Sequence, residues 1–327
     1  PPALMRSLAI EILRRKLVVS WWTNVRFEKS FTRDLCLLLK ASGCIAVSGG
    51  LEVASDRLLE LIQKGITVAQ VARVNKHFTQ AGIMVHAYLM YGFPTQTAQE
   101  TIDSLEMVRQ MFKAGVLQSA YWHQFAMTAH SPVGMNPEKY KVVKETELVG
   151  TFANNDIVHE DPTGADHESF SYGLKKSLFN YMHNLGIDES LQKWFENKVP
   201  KTKVDPAFIE NALMSDDDLH FKPTAKVLYT GKQPSVEYFT QSKKGMSREM
   251  ATLQFTSKSG SHQIQLLKQQ ADWLIATLGK IHVSNLKVFT LKELMADYEA
   301  VTGMDDFELF WDNKPMNTMW KAGLYVV

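Results

Sequence analysis

Two rhythms of apolar and polar positions run through the first part of the chain. Runs rich in β-branched and aromatic residues, Leu17–Trp22, Cys44–Gly50, Ile83–Tyr91 and Leu117–Thr128, read as strands. Between them lie segments with apolar residues at helical spacing: Pro1–Lys16, Thr32–Ser42, Ser55–Gln63, Val68–Gln80 and Ala98–Ala114. Pro at the start of the first helix loses no bond, because the N–H it lacks has no intrahelical partner there. Gly43, Gly65 and Gly115 follow as stops. Strand, helix, strand in that order is a βαβ unit of a parallel sheet. Four strand–helix repeats without sequence repetition predict an α/β fold, part of a parallel (β/α) barrel, with functional residues at the C-terminal ends of the strands.

The texture changes near Ser131. Pro132, Gly134, Pro137 and the Lys-rich run Glu138–Lys144 read as a linker, and Asn154–His167 as a polar loop. Ser169–Leu185 is an amphipathic helix, followed by helical stretches Leu191–Phe195 and Pro206–Leu213. From Pro223 short strands are expected at Ala225–Thr230, Val236–Thr240 and Ala251–Thr256. A long helix follows at Gln263–Leu278, then a strand at Leu286–Phe289, helices at Leu291–Val301 and Asp306–Ala322, and a closing strand at Leu324–Val327. That outline is winged-helix-like, a shape that by itself implies no DNA binding. The expected organisation is a partial barrel over residues 1–135, a linker and helical segment over 136–222, and a small α+β module over 223–327.

Composition narrows the function classes. With 45% apolar and 22% charged residues in 327, the chain can bury a sizeable core. A net charge of +1 provides no field for nucleic acid. No run of 18 apolar residues is present to cross a membrane. Cys36 and Cys44, the two cysteines, sit in apolar runs and read as small buried hydrophobes. This excludes a disulfide framework and fits a reducing cytoplasm. The opening Pro-Pro, without an initiator Met, reads as a chain cut from a longer one. No GxxxxGK[ST], GxGxxG or GxSxG occurs, so phosphate-loop, Rossmann and nucleophile-elbow mechanisms have no support.

The stretch Cys44–Thr97 organises the rest: a strand, the doublet Gly49-Gly50 as a turn, Glu52, a helix ending in Ile62-Gln63-Lys64-Gly65, a second helix, and a strand closed by Gly92-Phe93-Pro94. Its wording, GLEVAS…LLELIQKGIT…AGIMVHAYLMYGFPTQT, closely resembles the middle of radical S-adenosylmethionine (SAM) enzymes, especially those with a cobalamin-binding domain in front. The resemblance covers roughly residues 1–135. It implies SAM, a 4Fe–4S cluster and cobalamin as cofactors, an electron donor such as flavodoxin or ferredoxin, and cleavage of SAM to a 5′-deoxyadenosyl radical. The C-x3-C-x2-C loop that holds the cluster in that family is absent from this sequence. Two readings follow: part of a radical SAM enzyme whose cluster ligands lie elsewhere, or a cluster-free relative that acts as a non-enzymatic binding or scaffold protein.

The resemblance implies cofactor-binding roles at four positions. Glu52 stands at a strand end where the family places a polar residue for the ribose or amino-acid part of SAM; its plain alternative is a carboxylate at a helix N-terminus. Lys64, twelve residues on, meets the methionine carboxylate or is an ordinary helix-end cation. Arg26, with Asn24 at the end of the first strand, lies in the SAM pocket or in a structural ion pair. Tyr88 lies near the adenosyl group; Tyr91, three residues on, cannot share its face. His123, His130 and Ser131 fall where the family's substrate face begins. His159-Glu160-Asp161 and Asp166-His167-Glu168 collect metal-ligand residue types, yet without an HExxH spacing, and no metal site is assigned to them. A third class, a hydrolase on the same barrel, would need a carboxylate or metal set at strand ends.

Overall fold

The computed structural model describes residues 1–145, 155–215, 222–243, 246–257 and 260–327. Asn154, where the polar loop was expected to begin, lies outside the described residues. The order of elements is α1 (Pro2–Arg14), β1 (Trp21–Val25), α2 (Arg33–Ala41), β2 (Cys44–Glu52), α3 (Asp56–Leu61), α4 (Val68–Gln80), β3 (Met84–Tyr91), α5 (Ala98–Lys113) and β4 (Ser119–Gln124). There follow α6 (Pro132–Met135), β5 (Val143–Lys144), β6 (His159–Glu160), α7 (Glu168–Met182) and α8 (Phe208–Met214). Next are β7 (Lys226–Tyr229), β8 (Ser235–Lys243), β9 (Met246–Ser257), β10 (Gly260–Leu267) and α9 (Lys268–Lys280). The chain closes with β11 (Phe289–Thr290), α10 (Leu291–Thr302), α11 (Phe307–Trp311) and β12 (Leu324–Val326).

The chain divides into two compact units that are not consecutive in sequence. One comprises Trp21–Phe31 and Ile45–Asp216; the other comprises Pro1–Ser20, Thr32–Cys44 and Asp217–Val327. The first unit is built on a four-stranded sheet in the order β1-β2-β3-β4, with β2–β3 and β3–β4 parallel. Strand side chains alternate between faces. Val85, Ala87, Leu89 and Tyr91 of β3 and Ala120 and Trp122 of β4 are buried on one face. The opposite face keeps Tyr88 37% and Tyr121 52% exposed. Caps fix the helices over this sheet: Ser55 for α3, Thr67 for α4, and a full capping box of Thr97 with Glu100 for α5.

The second unit packs α1 and α2 with the C-terminal region. It holds an antiparallel sheet β10-β9-β8 and a second sheet β11-β7-β12. Its core is aromatic: Trp273 meets Tyr298 edge-on at 5.0 Å, and Tyr298 stacks on Phe310 at 5.1 Å. Asp34, at the first turn of α2, accepts the backbone N–H of Val326 at 2.9 Å and so ties β12 to α2.

Three expectations change. The run Leu17–Ser20 is not sheet, and Val18 is fully exposed; the strand starts at Trp21. Apolar character alone supplies no ladder partner. The helix expected from Gln263 begins only at Lys268, because residues 260–267 pair with β9 along their whole length. The period-two order of His262, Ile264 and Leu266 decides there over the helix preference of the glutamines. The long helix expected at Asp306–Ala322 breaks after Trp311, and a 3₁₀ turn from Met316 to Ala322 resumes after Pro315, which cannot continue an α-helix.

Candidate functional site

Gly49 and Gly50 lie inside β2 rather than in a turn, and each opens space on a different face. A Cβ on Gly49 would stand 2.5–2.8 Å from the ring of Phe27, which is wholly buried. A Cβ on Gly50 would fall on the Glu52 carboxylate and 2.9 Å from Lys64 Nζ. Gly50 pairs with Tyr88 across the ladder. The open face at Gly50 is therefore filled by an ion pair: Lys64 Nζ donates to Glu52 Oε1 at 2.6 Å, with the side chains 23% and 25% exposed.

Glu52 reaches back over Gly50 because the strand ends irregularly. The register shifts between Gly50 and Glu52, and Glu52 takes φ 61°, a left-handed conformation that costs a non-glycine residue about 1 kcal/mol or more. Strain of this kind concentrates at binding sites. Lys64 arrives from the turn after α3, and Gly65 follows it with φ 66°. A Cβ on Gly65 would stand 3.3 Å from Arg26 Nη2, so the Arg26 guanidinium closes on the same turn. Arg26, Glu52 and Lys64, named from sequence, are thus brought together.

Tyr88 and Tyr91 lie on opposite faces, as their spacing requires: Tyr91 is buried and Tyr88 is on the open face. The Tyr88 ring contacts His86 at 5.1 Å and His123 at 6.2 Å between centroids. His123 is on β4, exposed, with its ring 4.6 Å from that of Tyr121. His130 is an exposed turn residue. Ser131 caps α6: its Oγ accepts from the Gly134 N–H at 3.0 Å and donates to the Thr128 carbonyl at 2.8 Å. The structure adds His86, Ser119 and Tyr121 to this face. The alternation in Met84–Tyr91 and Ser119–Gln124 carries the signal: His86 and Tyr88, and Ser119, Tyr121 and His123, stand at every second position on a face that a buried sheet would fill with aliphatic side chains.

The His159–Glu168 stretch serves other contacts. His159 meets Phe125 edge-on at 5.7 Å, and Asp161 Oδ2 accepts the Thr95 N–H at 2.8 Å. His167 packs beside Gly92, where a Cβ would stand 3.4 Å from it. Burial lowers the His167 pKa, against the pull of Asp161 and Asp166. Among the described residues no group of three His, Cys, Asp or Glu is disposed to hold a metal ion. Cys36 and Cys44 are both wholly buried, and burial, with Cys44 and Asp34 nearby, pushes the Cys36 thiol well above its ordinary range. Among the described residues, no helix is long and apolar enough to cross a membrane.

No family model matches the chain. An uncharacterized methyltransferase of Pyrococcus horikoshii is 25% identical over 159 residues, which make up 46% of this chain and 34% of the relative. The anaerobic magnesium-protoporphyrin IX monomethyl ester cyclase of Rubrivivax gelatinosus is 29% identical over 100 residues, 30% of this chain and 18% of the relative. The matched region therefore spans about a third of the first relative and less than a fifth of the second. Among solved structures, the radical S-adenosylmethionine methyltransferase TsrM of Kitasatospora setae, with cobalamin and a 4Fe–4S cluster bound, is 16% identical at a TM-score of 0.40, over 54% of this chain and 40% of that one. The archaeal Elp3 of Methanocaldococcus infernus is 11% identical at a TM-score of 0.31, over 72% of this chain and 53% of that one.

Proposed function

We propose that this chain forms one wall of the SAM and substrate pocket of a radical SAM enzyme, built on part of a parallel (β/α) barrel. The observation that carries the reading is the Glu52–Lys64 pair lying over Gly50 at the C-terminal end of β2. The amino-acid end of SAM is a zwitterion. Its ammonium needs a carboxylate acceptor and its carboxylate needs a cation. Glu52 and Lys64 present both, and Arg26 beside Gly65 adds a second cation. Binding exchanges one ion pair within the protein for pairs with the ligand, so no charge is left buried alone. Tyr88, beside Gly50 in the ladder, fits the adenosyl side of the same molecule. When bound, SAM supplies the sulfonium whose cleavage yields the 5′-deoxyadenosyl radical or a methyl group. The similarity to a protein named a methyltransferase supports this class. Cobalamin-dependent methyl transfer or rearrangement, and an electron donor such as flavodoxin or ferredoxin, belong to the same proposal.

A 4Fe–4S cluster does not fit the residues present. Such clusters are held by Cys thiolates, and the two thiols here are buried, with Cys36 held in its protonated form. That donor set favours the second reading in one respect: by itself the chain binds SAM without radical chemistry, as a cluster-free binding protein would. A C-x3-C-x2-C loop encoded in frame upstream supports the enzyme reading; its absence supports the other.

Isothermal titration of the chain with SAM tests the core of the proposal. One site per chain is expected, with affinity lowered about tenfold or more in Lys64→Ala and in Glu52→Gln, the loss of a charge-assisted contact. No saturable heat, or an affinity undiminished in the two variants, overturns it.

A further inference from the structure

The open face of the first unit's sheet carries a second group that the ion pair does not use. His86 and Tyr88 of β3 and Tyr121 and His123 of β4 form a continuous set of rings, with centroids 4.6–6.2 Å apart along the contacts His86–Tyr88, Tyr88–His123 and Tyr121–His123. These separations belong to tilted and edge-on ring pairs, which leave ring faces free. The ladder places Ser48 beside His86 and Gly50 beside Tyr88. The short side chain of Ser48 leaves a low floor beside His86, whereas the Glu52–Lys64 pair fills the place over Gly50 beside Tyr88. Tyr121 stays 52% exposed.

The group has a definite chemistry. His86 Nδ1 is engaged with Ser119 Oγ at 2.8 Å, which fixes the ring and leaves Nε2 as its remaining polar atom. Burial, with a smaller effect from His123, lowers the His86 pKa, so the imidazole is neutral near pH 7. Charge lies at the strand ends, in the Glu52–Lys64 pair over Gly50 and in the Arg26 guanidinium beside Gly65. Two cations to one anion disfavour a cationic guest in the ring group, although exposed tyrosines alone would accept one. A saccharide needs many directed polar partners, and this surface offers few.

We propose that this ring group, beside the Tyr88 that faces the adenosyl part of SAM, is the subsite for the second reactant and takes a planar, uncharged aromatic ring, stacked on Tyr121, with the tilted His123 ring against its edge and His86 Nε2 as its hydrogen-bond partner. The inference rests on the reading of Glu52 and Lys64 as the SAM end, because the aromatic ring is then the substrate held next to it. It commits to a flat guest: stacking on exposed ring faces rewards planarity, whereas simple burial of apolar area does not.

The test uses the whole chain and two probes of similar size, 2-naphthol and its saturated analogue decahydro-2-naphthol, followed by NMR through the imidazole protons of His86 and His123. Saturable shifts with 2-naphthol, and none with the saturated alcohol at the same concentration, are expected. Tyr121→Ala combined with His123→Ala weakens 2-naphthol binding about tenfold, the worth of two ring contacts, with an unchanged melting temperature. Equal response to both alcohols, no saturable shift, or undiminished binding in the double variant overturns the proposal. SAM titration in the same samples separates the two readings. Naphthol binding without SAM binding removes the SAM site and leaves the aromatic subsite standing, whereas SAM binding without naphthol binding removes the subsite alone.

Discussion

Gly50 has no side chain because Glu52 occupies the place where one would be. The Glu52 carboxylate, paired with Lys64, lies over Gly50, while the ring of Phe27 fills the space above Gly49 on the other face. Neither residue shows a positive φ; both are glycine for room rather than for backbone freedom. Alanine at the two positions therefore has opposite consequences. Gly49→Ala drives a methyl into a buried ring and is expected to cost about 1–3 kcal/mol, the usual range for overpacking, seen as a lower denaturation midpoint. Gly50→Ala pushes aside an ion pair that is partly open to water. It is expected to leave the midpoint nearly unchanged and to abolish SAM binding. A Gly50→Ala protein that binds SAM normally would remove the ion pair from the site.

Much of this region was legible beforehand, and the reason is local. The helices of the first unit announce themselves through Ser55, Thr67 and Thr97 caps and through apolar spacing, and the wording of the stretch around β2, by its resemblance, implies Glu52 and Lys64. What escaped was set by partners distant in sequence. The Gly49-Gly50 doublet looked like a turn because nothing local shows that Phe27 and Glu52 claim its two faces. His86 and Tyr121 do not stand out from sequence, because their meaning depends on β3 and β4 lying side by side with one face uncovered. Within the strand Gly260–Leu267, the part from Gln263 reads as helix because its glutamines favour helix, and only pairing with β9 overrules them.

The link between α2 and β12 is a second long-range contact with a measurable weight. Asp34 Oδ2 accepts the Val326 N–H, and Oδ1 accepts Arg33 Nε at 3.0 Å, with the Asp34 side chain only 5% exposed. Asp34→Ala strands a buried N–H and is expected to cost about 1–3 kcal/mol. Asp34→Asn, which keeps an acceptor, is expected to cost less. Urea unfolding checks this through a shifted midpoint at constant slope. Equal stability of the alanine variant would show that β12 is held by its ladder to β7 alone.

Acid sensitivity should trace in part to Glu100. Burial raises its pKa, but the Arg57 guanidinium at 2.7 and 2.8 Å and the Thr97 N–H at 3.0 Å outweigh that and leave it below the usual 4.5. A carboxylate with a depressed folded pKa contributes stability that is present above its unfolded pKa and is lost as pH falls through the folded value. Stability is therefore expected to decline below about pH 4.5, and Glu100→Gln to flatten that decline while lowering stability at neutral pH. Arg57 is half exposed, so the effect is modest. An unchanged acid limb in the glutamine variant would place the sensitivity elsewhere.

The two thiols give a test that needs no ligand. Thiolate is the reactive form and the cluster ligand, and burial holds Cys36 protonated while both cysteines are closed to solvent. A thiol reagent is expected to leave both unmodified in the folded chain and to label two per chain after denaturation. Anaerobic treatment with iron and sulfide is expected to give no stoichiometric 4Fe–4S absorbance. A stable cluster at one per chain would mean that these cysteines rearrange to become ligands, and the assignment of the cluster to residues outside this chain would fall.

His86 supplies the sharpest check on the open face, because its titration reports the surroundings of the ring group directly. Burial is the larger cause of its lowered pKa and His123 the smaller. In NMR titrations its ring protons are therefore expected to move at a pH below the ordinary 6.5. Removing the smaller cause in His123→Gln should raise the midpoint only slightly, since burial remains. Relative to the unfolded chain, a depressed imidazole pKa favours the fold above pH 6.5, and that contribution is lost as pH falls through the folded value. Filling the subsite with an uncharged aromatic ring deepens the burial and should lower the midpoint further, in proportion to occupancy. A midpoint at or above the ordinary value, or one indifferent to 2-naphthol at saturating concentration, would mean that Nε2 faces water and that the ring group holds no guest.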